Sequence, residues 1–104
     1  MQETLEAVAH PARRQILRLV WDSELSSRDI ATHFDVTWQA VSHNLRVLRE
    51  AGLVSERREG TRRLYRADQQ RLRPIAALLK DLWRQDLDQL DRVIREDRSK
   101  AVRK

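Results

Sequence analysis

Hydrogen-bonding and positively charged side chains are concentrated between residues 37 and 66. This stretch has seven arginines and three acidic residues, a net charge of +4, whereas residues 1–36 carry −2 and residues 67–104 carry +3. Arginine outnumbers lysine eighteen to three in the chain, which favours two-pronged hydrogen bonds to phosphate or guanine. A basic block of this kind indicates a surface that binds a polyanion, although a solvated surface explains the charge alone equally well.

The same residues do not form a predicted catalytic or metal site. The chain has no cysteine and two glycines, which excludes thiolate chemistry, a zinc ribbon and a Gly-rich phosphate loop. Ser42 and His43 are neighbours on a predicted helix, so their side chains do not face each other as a nucleophile and its base would. No two histidines have the spacing of metal ligands. We therefore predict neither an enzyme nor a metal or other cofactor.

Length and composition indicate one helix-rich domain. The 104 residues are 40% hydrophobic and 36% charged, which is enough apolar surface for one compact core. No apolar run is long enough for a bilayer span, and the acidic N-terminus is unlike a signal peptide. Together with the absence of cysteine, these features predict a cytoplasmic protein without a membrane partner.

Apolar periodicity predicts four helices in the first half of the chain, over residues 4–9, 11–21, 27–34 and 38–50. Ser26, followed three residues later by Asp29, is placed to cap the third helix, and Thr37 is placed to cap the fourth. Gly52 stands where a left-handed residue would end the fourth helix. The faces predicted to point inward comprise Ala12, Ile16, Leu19 and Val20, then Ile30, Ala31 and Phe34, and finally Val41, Leu45 and Leu48.

The second half of the chain begins with β-type residues that flank Glu59-Gly60, which predicts a β-hairpin with an arginine-rich tip. Residues 67–73 are predicted to be a connector, and Pro74 opens a last helix that runs to about residue 97. Residues 1–97 would form one domain, followed by a basic, disordered tail over residues 98–104. The apolar stripe of the last helix is too long to be buried within one small subunit, so we expect dimerisation.

Two short helices joined by a tight turn and followed by a basic hairpin predict a winged helix-turn-helix, mainly α with a small β-hairpin wing. In that arrangement one helix enters the major groove and reads base edges, while the preceding helix contacts phosphates. The predicted base-reading residues are Trp38, Gln39, Ser42, His43 and Arg46; those predicted to contact the DNA backbone, including the wing, are Ser26, Thr37, Arg57, Arg58, Thr61, Arg62 and Arg63. Trp38 fits an alternative equally well, in which its ring packs on the wing or on the neighbouring helix.

Three stretches within residues 7–66 resemble the ArsR/SmtB-type bacterial winged-helix repressors: AHPARRQILRLV, ELSSRDIATHFDVTWQAVSHNLRVLREAGLV and ERREGTRRLYR. The last helix, with LLKDLWRQDLDQLDRVI, resembles the family's C-terminal dimerisation helix. The resemblance implies a homodimer that is joined through the first and last helices, binds an inverted-repeat operator and represses transcription. The residues expected at the dimer interface are Leu5, Val8, Leu79, Leu82, Trp83, Leu87, Leu90 and Ile94.

The chain departs from this family at its metal sites. The family's thiolate site reads Glu-Leu-Cys-Val-Cys-Asp, whereas Ser26 and Arg28 replace both cysteines here, and an arginine cannot ligate a cation. The second family site uses Asp, His and Glu on the last helix, which here has no histidine; its aspartates are interpreted as a solvated face. The chain therefore resembles the non-metal-sensing branch, which leaves the effector unknown. Asp35 also replaces a common turn glycine, but aspartate tolerates left-handed geometry.

The predicted function is that of a sequence-specific transcriptional regulator that binds double-stranded DNA as a homodimer. The alternative is a winged-helix module that binds a protein partner, or nucleic acid without sequence preference. Competition of a gel shift by random duplex separates the two, because equal competition favours the alternative.

Overall fold

The computed structural model describes residues 2–34 and 36–87, which fold into helices around a small antiparallel sheet. The elements in chain order are α1 (Gln2–Val8), α2 (Pro11–Leu19), β1 (Leu25–Ser26), α3 (Ser27–Ala31), α4 (Trp38–Glu50), β2 (Val54–Glu59), β3 (Arg62–Ala67) and α5 (Gln69–Leu72), then a 3-10 turn (Arg73–Ile75) and α6 (residues 76–87). No helix within the described ranges combines the length and apolar composition that a membrane span requires.

The buried face of α2 differs from the predicted one. Pro11 occupies the first turn and His10 precedes it in extended geometry, as expected for a helix that begins at proline. Ile16, Leu17 and Val20 are fully buried, whereas Ala12 is exposed, so its predicted inward position was wrong. Arg14 on the same helix is buried, and it donates to the carbonyl oxygens of Val8 and Ala9 at 2.9 and 3.1 Å.

Local capping residues define the helix-turn-helix. The Ser26 hydroxyl accepts from the Asp29 amide and the Thr37 hydroxyl accepts from the Ala40 amide, both at 3.1 Å, which confirms both predicted caps. The third helix is shorter than predicted, because hydrogen bonds between residues three apart replace α-helical ones after Ala31.

The C-terminal end of α4 is a Schellman cap. Gly52 has a φ of +76°, and the amide of Leu53 donates to the carbonyl of Leu48 at 2.9 Å. The predicted inward stripe of α4 is buried, and it comprises Val41, Leu45 and Leu48. Both ends of this helix and its orientation are therefore confirmed.

Three strands form the sheet, in the order β1-β3-β2, and all of its pairs are antiparallel. Glu59 pairs with Arg62, so Gly60 and Thr61 form a two-residue loop, and the φ of +64° at Gly60 suits such a tight turn. We call β2, β3 and this loop the wing. Strand β1 was not predicted; its Leu25 pairs with Tyr65 of the wing. The predicted connector also contains α5, whose first turn is capped by Asp68.

The last helix packs one side of its apolar stripe into the core of its own chain. Val8, Leu79 and Trp83, all three predicted at the dimer interface, belong to the core cluster of their own chain. Trp83 Nε1 donates to the carbonyl of Arg14 at 2.8 Å, and its ring meets that of Trp21 edge to face at 5.3 Å.

Three large apolar side chains on α1 and α6 remain exposed among the described residues. Leu5 and Leu87, both predicted at the interface, are exposed, as is Leu78, which was not in that prediction. Leu82 is half-buried. The other predictions for the C-terminal segment, Leu90, Ile94 and the tail over residues 98–104, lie outside the described residues, as does the turn residue Asp35.

Candidate nucleic-acid interface

An open cleft of about 820 Å³ lies between the N-terminal part of α3, the outer face of α4 and the wing. It is lined by side chains from all three elements. Seven of the twelve residues predicted to contact DNA line it: Ser26, Trp38, Ser42, Arg46, Thr61, Arg62 and Arg63.

The remaining predicted residues lie outside the cleft lining. Gln39 and His43 are exposed on α4, on the face that Ser42 and Arg46 share because they are three or four residues apart. Thr37 precedes α4, and Arg57 and Arg58 lie on β2. Helix α4 therefore presents a continuous polar face opposite its buried stripe.

Trp38 begins α4 and contacts α3. Its Nε1 donates to the hydroxyl of Ser27 at 3.2 Å, while the side chain remains 47% exposed at the cleft. The two interpretations of this residue are thus compatible in part, because the indole bonds to the neighbouring helix and still offers ring surface to the cleft.

Ser26 has a structural use that argues against its predicted phosphate contact. The residue is 6% exposed, and its hydroxyl already accepts from the first turn of α3. The next residue, Ser27, is the less buried serine that lines the cleft. Ser27 was not among the residues predicted to contact DNA. The spacing between Ser26 and Asp29 could have distinguished the two serines, because it assigns the Ser26 hydroxyl to capping the helix.

Three of the five arginines in the wing form ion pairs with described residues. Arg57 donates twice to Glu24, at 3.0 and 2.8 Å, and once to Glu59 at 3.3 Å. Hydrogen bonding from Arg57 lowers the pKa of Glu24, and the same contact raises the pKa of Arg57. This pair ties the wing to the segment that precedes β1.

The other two paired arginines lie on β3. Arg62 Nη2 lies 2.9 Å from Asp29 Oδ2 on α3, and Arg63 Nε lies 3.7 Å from Glu56 Oε1 on β2. Arg58 makes no ion pair with any residue of the ranges 2–34 and 36–87. The acidic partners were missed at the sequence level, because Asp29 and Arg62 are 33 positions apart and share no local pattern.

Glu56 also links the wing to the end of α4. Its carboxylate accepts from Arg49 Nη1 at 2.6 Å, and it faces Tyr65 in the strand pairing. Burial, with Glu56 as a further cause, raises the pKa of the Tyr65 hydroxyl. The spacing between α4 and the wing is thus set by side-chain contacts as well as by the Schellman cap.

No group of three or more His, Cys, Asp or Glu side chains within the described ranges could hold a metal ion. At the two positions where the resembling family has cysteines, Ser26 caps α3 and Arg28 is an exposed cation at the cleft.

Comparison with known proteins agrees with this geometry. The family model for "Bacterial regulatory protein, arsR family" matches residues 10–56. The transcriptional repressor SdpR of Bacillus subtilis is 35% identical over 60 residues, which cover 58% of this chain and 67% of SdpR.

Two solved structures have the same fold. A possible transcriptional regulator for arsenical resistance superposes with a TM-score of 0.67 at 39% identity, covering 90% of this chain and 95% of the other. The homodimeric winged helix-turn-helix domain of Mb0332 from Mycobacterium bovis gives a TM-score of 0.69 at 34% identity, with 78% and 75% covered. The chain is thus a winged helix-turn-helix transcriptional regulator, and it belongs to the ArsR family of bacterial regulatory proteins.

Proposed function

We propose that a homodimer of this chain binds an inverted-repeat operator in double-stranded DNA and represses transcription in the cytoplasm. The observation that carries the proposal is the cleft in which the polar face of α4 and the arginines of the wing meet. An α-helix fits the major groove of B-DNA, and a basic hairpin beside it reaches the flanking backbone or the minor groove. Repression and the homodimer are supported by the similarity of this chain to the repressor SdpR and to the homodimeric Mb0332 domain.

The contacts divide by element. The polar side chains of α4 would read base edges, and these are Gln39, Ser42, His43 and Arg46. Phosphate contacts would come from Thr37, Arg58, Thr61, Arg62 and Arg63. Arg57 is assigned to bracing the wing, because both prongs of its guanidinium are held by Glu24.

Exposed leucines of α1 and α6 would contribute to the dimer surface. Leu5, Leu78 and Leu87 lie at the surface although all three are large and apolar, and burial against a second copy would remove this surface from water. A two-fold dimer presents two copies of α4, which suits half-sites one helical turn apart.

The regulatory signal would not be a metal at the thiolate position. Replacing the family's cysteines by a helix-capping serine and an arginine leaves no soft ligand there, which supports a place in the non-metal-sensing branch.

Selection from a random-sequence duplex library, followed by gel shift, tests this function. We expect an inverted repeat to be enriched and random duplex to compete poorly against it. With roughly 6–10 phosphate contacts, affinity should fall by about 10³–10⁵-fold between 50 and 200 mM salt. Equal competition by random duplex would instead favour the module without sequence preference.

Two variants distinguish residues that read bases from residues that contact phosphates. Replacing Gln39 by alanine should relax the selected sequence, whereas replacing Arg62 and Arg63 by glutamine should weaken binding to every duplex alike. A reporter gene behind the selected operator then tests repression, because a rise in transcription with added protein would assign activation instead.

A further inference from the structure

We propose that Trp38 reads the methyl group of a thymine in the operator. This inference rests on the proposed function and adds to it the chemical identity of one contact. The only polar atom of the indole is Nε1, which can donate and cannot accept a hydrogen bond. That atom is already directed at Ser27, whose hydroxyl oxygen lies 3.2 Å away.

The surface that Trp38 leaves open to the cleft is therefore apolar. The side chain is 47% exposed and lines the cleft together with Ser42 and Arg46. Because the indole donor is occupied, the exposed ring cannot read a donor or an acceptor on a base edge. It can select a base only by apolar contact.

Thymine supplies the one apolar group on the base edges of the major groove, its C5 methyl. Trp38 is the first residue of α4, and N-terminal residues of a recognition helix are those that reach base edges. The ring is therefore positioned for a methyl contact, while Gln39 and Ser42 supply polar partners for neighbouring bases.

The hydrogen bond to Ser27 also limits the freedom of the ring. Ser27 is the first residue of α3, directly after the Ser26 cap, so the indole is tied to an element with its own anchored backbone. A side chain that is held before binding loses less conformational entropy when DNA arrives. The contact spans both helices of the helix-turn-helix.

Uracil substitution tests the inference, because uracil lacks only the methyl group. The probe is the duplex that the wild-type protein selects from a random-sequence library, with each thymine replaced in turn at symmetric positions of both half-sites. Losing one methyl contact should weaken binding by about fourfold per half-site, and by about 15-fold when both half-sites are changed.

The Trp38→Ala and Trp38→Gln variants test whether Trp38 is the residue that contacts the methyl group. At the position where uracil weakens wild-type binding, the loss of affinity caused by uracil should disappear in both variants. Val36→Ala is the matched control, because it truncates another exposed apolar side chain, which does not line the cleft. Circular dichroism checks that each variant retains its helices, and Trp38→Gln carries the test if Trp38→Ala does not fold.

Two results would overturn the inference while leaving the proposed function intact. One is a selected duplex that binds the wild type with equal affinity whichever thymine is replaced. The other is a uracil penalty that persists in both Trp38 variants, which would assign the methyl contact to another residue. If selection yields no preferred sequence at all, the sequence-specific function fails, and the assignment of Trp38 fails with it.

Discussion

Arg62 on β3 and Asp29 on α3 form an ion pair across the rim of the cleft, with 2.9 Å between Nη2 and Oδ2. The arginine proposed to contact phosphate is thus already bonded to a carboxylate. Both side chains are more than half exposed, so the pair contributes little stability and phosphate can replace the carboxylate. Under the proposed function, Asp29 would therefore compete with phosphate for Arg62.

Replacing Asp29 by asparagine should raise the affinity for every duplex, by up to about fivefold, since exposed pairs contribute about 0.2–1 kcal/mol. The measurement is a gel shift with selected and random duplexes. In an Arg62→Gln background most of that gain should vanish. An equal gain in both backgrounds would mean that Asp29 acts by general repulsion of DNA rather than through Arg62.

Arg57 and Arg58 should differ although they are adjacent residues of the same type. Arg58→Gln should weaken binding to all sequences and reduce the slope of log affinity against log salt by about 1. Arg57→Gln should change that slope little, because the arginine is held by Glu24. The slopes are measured between 50 and 200 mM salt, and matching slopes for the two variants would refute the proposed division of roles.

Asp86 should contribute more to stability than any exposed acidic residue of α6. It accepts two hydrogen bonds from Arg14, at 2.9 and 2.8 Å, and both side chains are largely buried. Asp86→Asn leaves the guanidinium without its counter-charge, which should reduce the free energy of unfolding by about 3 kcal/mol. Asp81→Asn on the exposed side of α6 is the matched control and should cost less than about 0.5 kcal/mol.

The same pair predicts a pH dependence. Hydrogen bonding from Arg14 lowers the pKa of Asp86, so the ionised carboxylate is favoured in the folded state. Its contribution is present above the ordinary aspartate pKa of about 3.9 and is lost as pH falls through the lower folded value. The difference in unfolding free energy between wild type and Asp86→Asn, measured by urea titration, should therefore shrink below about pH 4. A difference that stays constant down to pH 2 would contradict this assignment.

Alanine substitutions at the two glycines compare the cost of a left-handed backbone conformation with the cost of steric contact at the added Cβ. Both have positive φ, but a Cβ at Gly52 would lie 3.1 Å from Arg71 Cζ, whereas a Cβ at Gly60 would meet nothing within 4 Å. Alanine in left-handed geometry costs about 1–2 kcal/mol at either position. Gly52→Ala and Gly60→Ala should lower the thermal midpoint by similar amounts, because the atoms nearest the added Cβ at Gly52 belong to the end of the exposed, flexible Arg71 side chain. A larger loss at Gly52 that Arg71→Ala removes would contradict this expectation.

The elements that could be predicted from sequence are those whose ends are determined by neighbouring residues. Helix α4 is the clearest case, because Thr37 begins it, Gly52 ends it, and its apolar spacing orients it. Strand β1 could not be predicted, because two residues carry no periodicity and the strand exists only through pairing with β3, some forty positions away.

The interface predictions were limited by what periodicity measures. Apolar spacing shows which face of a helix is buried, but it does not distinguish the core of the same chain from a second subunit. Leu79 and Trp83 therefore looked like interface residues, although they pack against the chain's own core. Periodicity also treats arginine as exposed, so it missed Arg14, whose hydrogen bonds compensate for its burial.

The pairing of β1 with β3 has a mechanical consequence. Ser26 is at once the partner of Leu64 in the sheet and the cap of α3, so a shift of the wing by one ladder step would displace the first turn of that helix. The wing is thus coupled to the helix-turn-helix through β1 and does not move independently of it. A force applied at the Gly60 tip by bending of the DNA would be transmitted to the position of α3.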